Sequence, residues 1–275
     1  MPWYENRRGE PLWYEEVGTG CPVVLLHGWC MSSEVWRYQY DGLAGSLRLL
    51  APDLRGHGRS RKISGGLDFD TLAEDLVDLF ETLELAKVVL LGWSMGAQIA
   101  LQSFLELSGR LSGMVLVSAT PSFTASDDFP YGLAGKEVSG MRLKVQRNVQ
   151  RALDGFYSRL FAEGELDGNS FASEIKQLLS AIPAPDTGAV LEALDALAVA
   201  DMRDLLAAIT IPTLILNGAL DRICLPQASS YLKEHISDAR QTVFPLSGHA
   251  PFLTQSHQFN AELIRFARSV CDQNA

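Results

Sequence analysis

Five residues, Gly92-Trp93-Ser94-Met95-Gly96, stand between the apolar run Val88–Leu91 and the helix-forming stretch Ala97-Gln98-Ile99-Ala100-Leu101. A serine flanked by glycines, with a buried-type strand before it and a helix after it, is the setting of a nucleophile on a sharp strand-to-helix turn. The glycines leave room for the turn, and the turn lifts the Ser94 hydroxyl to the end of the strand. A serine hydroxyl is a weak nucleophile and needs a neighbouring base to take its proton. His249 fits that role best among the five histidines, in the loop Ser247-Gly248-His249-Ala250-Pro251-Phe252 after the last predicted strand. His257 reads as a surface residue at the start of the final helix. His235 closes a helical stretch, where a positive charge suits the helix dipole.

The base in turn needs a carboxylate to fix its tautomer and to stabilise the imidazolium. Asp221 follows the predicted strand Thr213–Leu216 and so lies at its C-terminal end. Asp53, in the turn-rich segment Pro52–Ser60, reads as a structural salt-bridge residue, and Asp201 lies at the wrong end of its strand. Two donors must hold the oxyanion that forms when Ser94 attacks a carbonyl. One is the N–H of Met95, directly after the nucleophile. The other is the N–H of Trp29, in the loop His27-Gly28-Trp29 after the strand Val23–Leu26, where Gly28 lets the backbone turn. The Trp29 indole is expected to line the pocket, and His27 to shape the loop. The sequence contains no metal-ligand cluster and no glycine-rich phosphate loop, so neither metal nor cofactor is expected.

Strands are predicted at Leu12–Val17, Val23–Leu26, Leu47–Ala51, Val88–Leu91, Met114–Val117, Thr213–Leu216 and Gln241–Phe244. Amphipathic helices are predicted at Phe69–Leu83, with Asp70 as N-cap, at Ala97–Leu107 and at Phe259–Val270. Strands alternating with helices imply an α/β fold with a mostly parallel central sheet flanked by helices. From about residue 120 to 200 the buried-strand runs stop, and helical patterns separated by Gly164, Gly168, Pro183 and Pro185 take over. The domain reading is therefore a core of residues 1–119 and 201–275 with an inserted helical cap at 120–200.

The 275 residues are 47% hydrophobic, and 33 acidic side chains outweigh 23 lysines and arginines, for a net charge of −10. That balance argues against nucleic acid or an anionic membrane as partner, because phosphate binding needs a basic surface. No apolar stretch reaches the about 20 residues of a membrane span, and the first residues do not read as a secretory signal. A cytoplasmic, monomeric protein is expected. Cys21, Cys30, Cys224 and Cys271 show no metal-type spacing and read as reduced thiols.

The chain order Ser94…Asp221…His249 and its setting resemble the α/β-hydrolase superfamily over nearly the whole length. Within it, Leu25-Leu26-His27-Gly28-Trp29, Glu34-Val35-Trp36-Arg37, Gly92-Trp93-Ser94-Met95-Gly96, Ser122-Phe123-Thr124-Ala125 with Asp128-Phe129-Pro130, and His249-Ala250-Pro251-Phe252 are similar to the pimeloyl-[acyl-carrier protein] methyl ester esterases of biotin synthesis. The resemblance implies removal of a methyl group from a pimeloyl ester carried by acyl-carrier protein. It implies Ser94, Asp221 and His249 as the catalytic set, and Trp29 and Met95 as oxyanion and substrate contacts. It places Phe156, Tyr157, Ser158, Arg159 and Leu160 beside the acyl chain.

Between Lys136 and Arg159 six basic side chains face two acidic ones, inside an acidic protein. On one continuous helix, Lys144, Arg147, Arg151 and Arg159 would share a face suited to docking acidic acyl-carrier protein. Gly155 stands where the family's pattern has an arginine. Other readings of the same residues are a short-chain esterase, a lactonase, a carbon–carbon bond hydrolase or a non-catalytic ligand receptor. Proline iminopeptidase is disfavoured by His-Gly-Trp after the first core strand, and haloalkane dehalogenase by serine at position 94.

Overall fold

The computed structural model describes residues 2–271. Eight strands form one sheet: β1 (Trp3–Glu5), β2 (Pro11–Val17), β3 (Cys21–Leu26), β4 (Leu47–Pro52), β5 (Val88–Trp93), β6 (Leu111–Val117), β7 (Thr213–Gly218) and β8 (Ala239–Phe244). Their spatial order is β1-β2-β4-β3-β5-β6-β7-β8. Only β1 with β2 and β2 with β4 pair antiparallel; from β4 to β8 every pair is parallel. β5 and β6 are buried at every position, as expected of parallel strands covered on both faces. β1 is absent from the sequence reading because three residues are too few to show a period.

Ten α-helices accompany the sheet among the described residues: α1 (Arg37–Leu43), α2 (Phe69–Thr82), α3 (Met95–Leu107), α4 (Gly135–Arg147), α5 (Val149–Arg159), α6 (Ala172–Ala181), α7 (Thr187–Val199), α8 (Pro226–His235), α9 (Pro251–Thr254) and α10 (Ser256–Cys271). α2 packs on α3, while α1 packs on α10. Asp68, not Asp70, caps α2: its backbone is extended and its carboxylate accepts the N–H of Thr71, so the helix starts two residues earlier than an Asp70 cap would allow. None of the described helices is long and apolar enough to cross a membrane.

Helices α4 to α7 all fall between β6 and β7. The single helix needed for a continuous basic face is broken. Asn148 leaves helical geometry at φ −164° and ψ 99°, ends α4, and caps α5 by accepting the N–H of Arg151. The expectation of four reduced thiols also changes. Cys21, opening β3, and Cys271, closing α10, form a disulfide, and only Cys30 and Cys224 are free. The two partners lie 250 residues apart, so no local spacing announces the bond.

Candidate functional site

Ser94 sits between β5 and α3 with φ 56° and ψ −117°, a region that L-residues rarely adopt and that costs on the order of 1–3 kcal/mol. The glycines around it are required by contact. A Cβ on Gly92 would lie 2.3 Å from the Gly96 carbonyl oxygen, and one on Gly96 would lie 2.4 Å from that of Leu26. The Ser94 N–H is tied to the Val117 carbonyl at 3.0 Å, which fixes the turn to the end of β6. As the first residue of α3, Met95 has no intrahelical partner for its N–H, which remains available to an anion.

The loop after β3 presses on this turn. A Cβ on Gly28 would stand 3.3 Å from the Ser94 Cβ and 3.1 Å from the Trp93 ring. Gly28 and Met31 close a turn by a 3.2 Å backbone bond, which leaves the N–H of Trp29 outside the turn's own bonding. The Trp29 indole donates to the Val190 carbonyl at 3.1 Å and meets Phe156 edge-on with ring centroids 4.9 Å apart. Two buried histidines brace the loop from behind. His27 Nε2 accepts the Leu54 N–H at 3.0 Å, and its Nδ1 donates to the Gly28 carbonyl. His57 Nε2 accepts the Cys30 N–H at 3.3 Å, and its Nδ1 donates to the Arg55 carbonyl. Burial lowers the His27 pKa to about 4. Burial, then the neighbouring His27, lowers that of His57 to about 3. Both rings are therefore neutral at ordinary pH and serve as loop supports.

His249 lies between β8 and α9, fully buried, and its Nδ1 is 2.7 Å from Asp221 Oδ2. Asp221 Oδ1 accepts the N–H groups of Ile223 and Cys224, which aims the other oxygen at the imidazole. A Cβ on Gly218 would lie 2.0 Å from the Gly248 carbonyl oxygen, so the loops carrying the acid and the histidine are in backbone contact. The imidazole is also held against β5, because Trp93 Nε1 donates to the His249 carbonyl at 2.9 Å. His249 Nε2 is buried and makes no hydrogen bond among the described residues, Ser94 included. The rival carboxylates are engaged elsewhere. Asp53 accepts the N–H groups of Ser33 and Arg59, a backbone brace and not the salt bridge the sequence suggests. Asp201 pairs with Arg203 at 2.6 Å.

Above Ser94 the helical segment closes an apolar pocket with ≈ 30 Å³ of open cavity, walled by Trp29, Phe156, Met141, Leu194 and Ile223 and edged by Arg159. Of the five residues Phe156 to Leu160, only Phe156 and Arg159 face it. Tyr157 and Ser158 line a separate cleft between α5 and α6, because successive residues on a helix point about 100° apart. The Tyr157 hydroxyl donates to the Cys30 carbonyl at 3.1 Å. Leu160 is buried, and its carbonyl accepts the His249 N–H at 2.7 Å.

Lys144, Arg147, Arg151 and Arg159 line one cleft of ≈ 620 Å³ despite the break at Asn148. Arg159 also pairs with Glu137 at 3.5 Å, whereas the other three have no carboxylate partner among the described residues.

Two site neighbours were not singled out from sequence. Cys224 lies beside Ser94. Burial and the charge of Asp221 push its thiol well above the ordinary range, partly opposed by a hydrogen bond with Ser94, so the thiol is neutral. Glu165 reaches the His249 loop from 82 residues away in sequence, a separation that hides it from any local pattern. No group of three or more metal-ligating side chains is present among the described residues.

The family described as alpha/beta hydrolase fold matches residues 22–256. A pimeloyl-[acyl-carrier protein] methyl ester esterase of Nitrosospira multiformis is 32% identical over 94% of this chain and 98% of its own. Among solved structures, an esterase from Exiguobacterium antarcticum superposes with a TM-score of 0.88 at 30% identity, covering 97% of this chain and 98% of that one. A bromoperoxidase from Bacillus anthracis gives 0.86 at 30% identity, covering 94% and 95%.

Proposed function

Because this chain belongs to the alpha/beta hydrolase fold family and is a carboxylic ester hydrolase, we propose that it cleaves the methyl ester of a pimeloyl chain carried by acyl-carrier protein. Ser94 is the nucleophile, His249 its base and Asp221 the carboxylate that orients the base. In the first half-reaction the Ser94 oxygen attacks the ester carbonyl while its proton passes to His249 Nε2. The N–H groups of Trp29 and Met95 hold the oxyanion, where one donor is worth about 2.7–4 kcal/mol. The tetrahedral intermediate collapses, His249 returns the proton, and methanol leaves. In the second half, His249 activates water, which attacks the acyl-enzyme, frees the carboxylate and restores Ser94.

The observation that carries the substrate reading is Arg159. It edges the apolar pocket over Ser94 and also lines the cleft of Lys144, Arg147 and Arg151. An acyl chain in the pocket would thus lead out past Arg159 to a basic surface, in a protein whose net charge is −10. An acidic carrier protein with its phosphate-bearing arm matches that layout by charge. Helices α4 to α7 act as the cap, and residues 120–200 are the inserted unit in this reading.

The test compares pimeloyl-acyl-carrier-protein methyl ester with p-nitrophenyl butyrate at low and high salt. The proposal expects preference for the carrier-bound ester, weakened by salt because exposed charges are screened beyond about 10 Å at 0.1 M. Replacing Lys144, Arg147 and Arg151 together by Glu is expected to raise KM for the carrier-bound ester at least about 10-fold and leave p-nitrophenyl butyrate unchanged. Equal use of both esters without salt dependence would leave only a short-chain esterase. Ser94→Ala should abolish both activities while the protein stays folded.

A further inference from the structure

The segment that follows α5 is joined to the His249 loop by an unusually dense set of bonds, and one side chain makes most of them. Glu165 Oε1 accepts from the hydroxyls of Ser247 and Thr254, each at 2.6 Å. Its Oε2 accepts the N–H of Gly248 at 2.7 Å and that of Ala162 at 2.6 Å. The carboxylate therefore grips both sides of His249: Ser247 and Gly248 before it, and Thr254, at the end of α9, after it. The two hydroxyls also lie 3.0 Å from each other, which closes the ring of contacts.

Backbone contacts complete the joint. The N–H of His249 donates to Leu160 at 2.7 Å, and Asn169 Nδ2 donates to the Thr254 carbonyl at 3.2 Å. Gly248 is glycine because the segment abuts it: a Cβ there would stand 2.7 Å from the Leu160 oxygen and 2.8 Å from the Ala162 nitrogen. Leu160 directly follows α5, whose Phe156 and Arg159 face the pocket.

We propose that Glu165 is a positioning residue for the reaction, locking the His249 loop to the helical segment so that the imidazole is aimed at Ser94 only while that segment is seated. This rests on the assignment of Ser94, His249 and Asp221 made above, but not on the identity of the ester. Hydrogen bonds between a carboxylate and neutral donors are charge-assisted and short; here three of them reach the stretch around His249, and a fourth ties the carboxylate to Ala162 of its own segment. The Asp221 contact fixes one edge of the imidazole. Glu165 fixes the backbone that carries it. A displacement of the order of 1 Å at a reacting group can cost about 100-fold in rate, so loosening this grip should appear in turnover and not in binding.

Chemistry also supplies a rescue. In Glu165→Gln the amide oxygen can accept the Gly248 and Ala162 N–H groups, while the amide nitrogen donates to the Ser247 and Thr254 hydroxyls, which accept equally well. Glu165→Ala has neither option.

The experiment measures kcat, KM and the pH profile of kcat/KM on p-nitrophenyl butyrate for wild type, Glu165→Ala and Glu165→Gln, with Tm recorded for each. Glu165→Ala is expected to lose about 10–100-fold in kcat with KM within about twofold. The acid limb of its pH profile, which reports the base, is expected to shift by about half a unit or more. Glu165→Gln should recover to within about threefold of wild type. A folded Glu165→Ala enzyme with kcat within twofold of wild type overturns the proposal. So does equal loss in the Ala and Gln variants with an unmoved acid limb, the pattern of mere structural damage. Should Glu165→Ala fail to fold, Thr254→Val removes one hydroxyl partner alone. A kcat loss of about 3–10-fold with the limb displaced supports the proposal, and wild-type kinetics overturns it. Ser94→Ala separates the two readings: activity surviving in that variant removes the assignment of Ser94 itself, whereas its loss shows that the rates report the reaction at Ser94.

Discussion

Acidification from pH 7.5 to pH 5.0 should destabilise this protein by about 4 kcal/mol through His27 and His57 alone. Both rings are buried and neutral, with pKa values lowered to about 4 and about 3 from the usual 6.5. The folded state thus binds fewer protons than the unfolded chain, so the stability is fully present above pH 6.5 and is lost as pH falls toward 4 and 3. At pH 5.0 an unfolded imidazole of pKa 6.5 is about 97% protonated, whereas the folded rings remain almost wholly neutral; each site then costs about 2 kcal/mol. That figure depends on the ordinary histidine pKa and only weakly on how far below 5 the folded values lie. Against a total stability of about 5–15 kcal/mol for an ordinary domain, the loss is large. Urea unfolding at pH 7.5 and 5.0 measures it. The carboxylates of Glu10, Asp68, Asp128 and Asp201, held below their ordinary values, weaken the fold mainly at still lower pH. His57→Gln should remove about 2 kcal/mol of the pH dependence, whatever it does to stability at pH 7.5. A wild-type difference under about 1 kcal/mol, or a His57→Gln protein with the full wild-type pH dependence, would refute the reasoning.

Four further outcomes follow from particular contacts. Asp221→Asn keeps an oxygen for the Ile223 and Cys224 N–H groups but presents a donor to His249 Nδ1, forcing the wrong tautomer; kcat on p-nitrophenyl butyrate should fall about 10⁴-fold with little change in Tm. Gly28→Ala sets a Cβ 3.1 Å from the Trp93 ring and 3.3 Å from Ser94, displacing the Trp29 donor, and should lower kcat by about 10-fold or more in steady-state assays. Gly96→Ala meets backbone oxygen at 2.4 Å, which cannot yield, and circular dichroism should find little folded protein. Thiol titration of denatured, unreduced protein should count two groups, Cys30 and Cys224, and four after reduction.

The strand ends, the elbow and the order of serine, acid and histidine are legible in the sequence because each lies beside its own local signal. Gly92 and Gly96 flank Ser94, Asp221 follows the buried strand β7, and His249 follows the last strand, β8. Asn148 also carried a signal, since asparagine is among the preferred N-caps, but a regular spacing of cations on either side of it favoured one long helix. Tyr157 and Ser158 share a helix with Phe156, and only the rotation of α5 shows that they face another cleft. Cys21 and Cys271 are brought together by the packing of α10 on β3, which no spacing encodes.

The cavity over Ser94 has kinetic consequences. Its ≈ 30 Å³ has room for about two water molecules until side chains lining it rotate. Phe156 and Met141, which wall it, must swing aside for an acyl chain to enter, while Glu165 keeps the segment joined to the His249 loop. Substrate entry is then coupled to a motion of the protein, separate from the chemical steps at Ser94. Where that motion limits capture of the ester, added sucrose or glycerol should lower kcat/KM in proportion to viscosity.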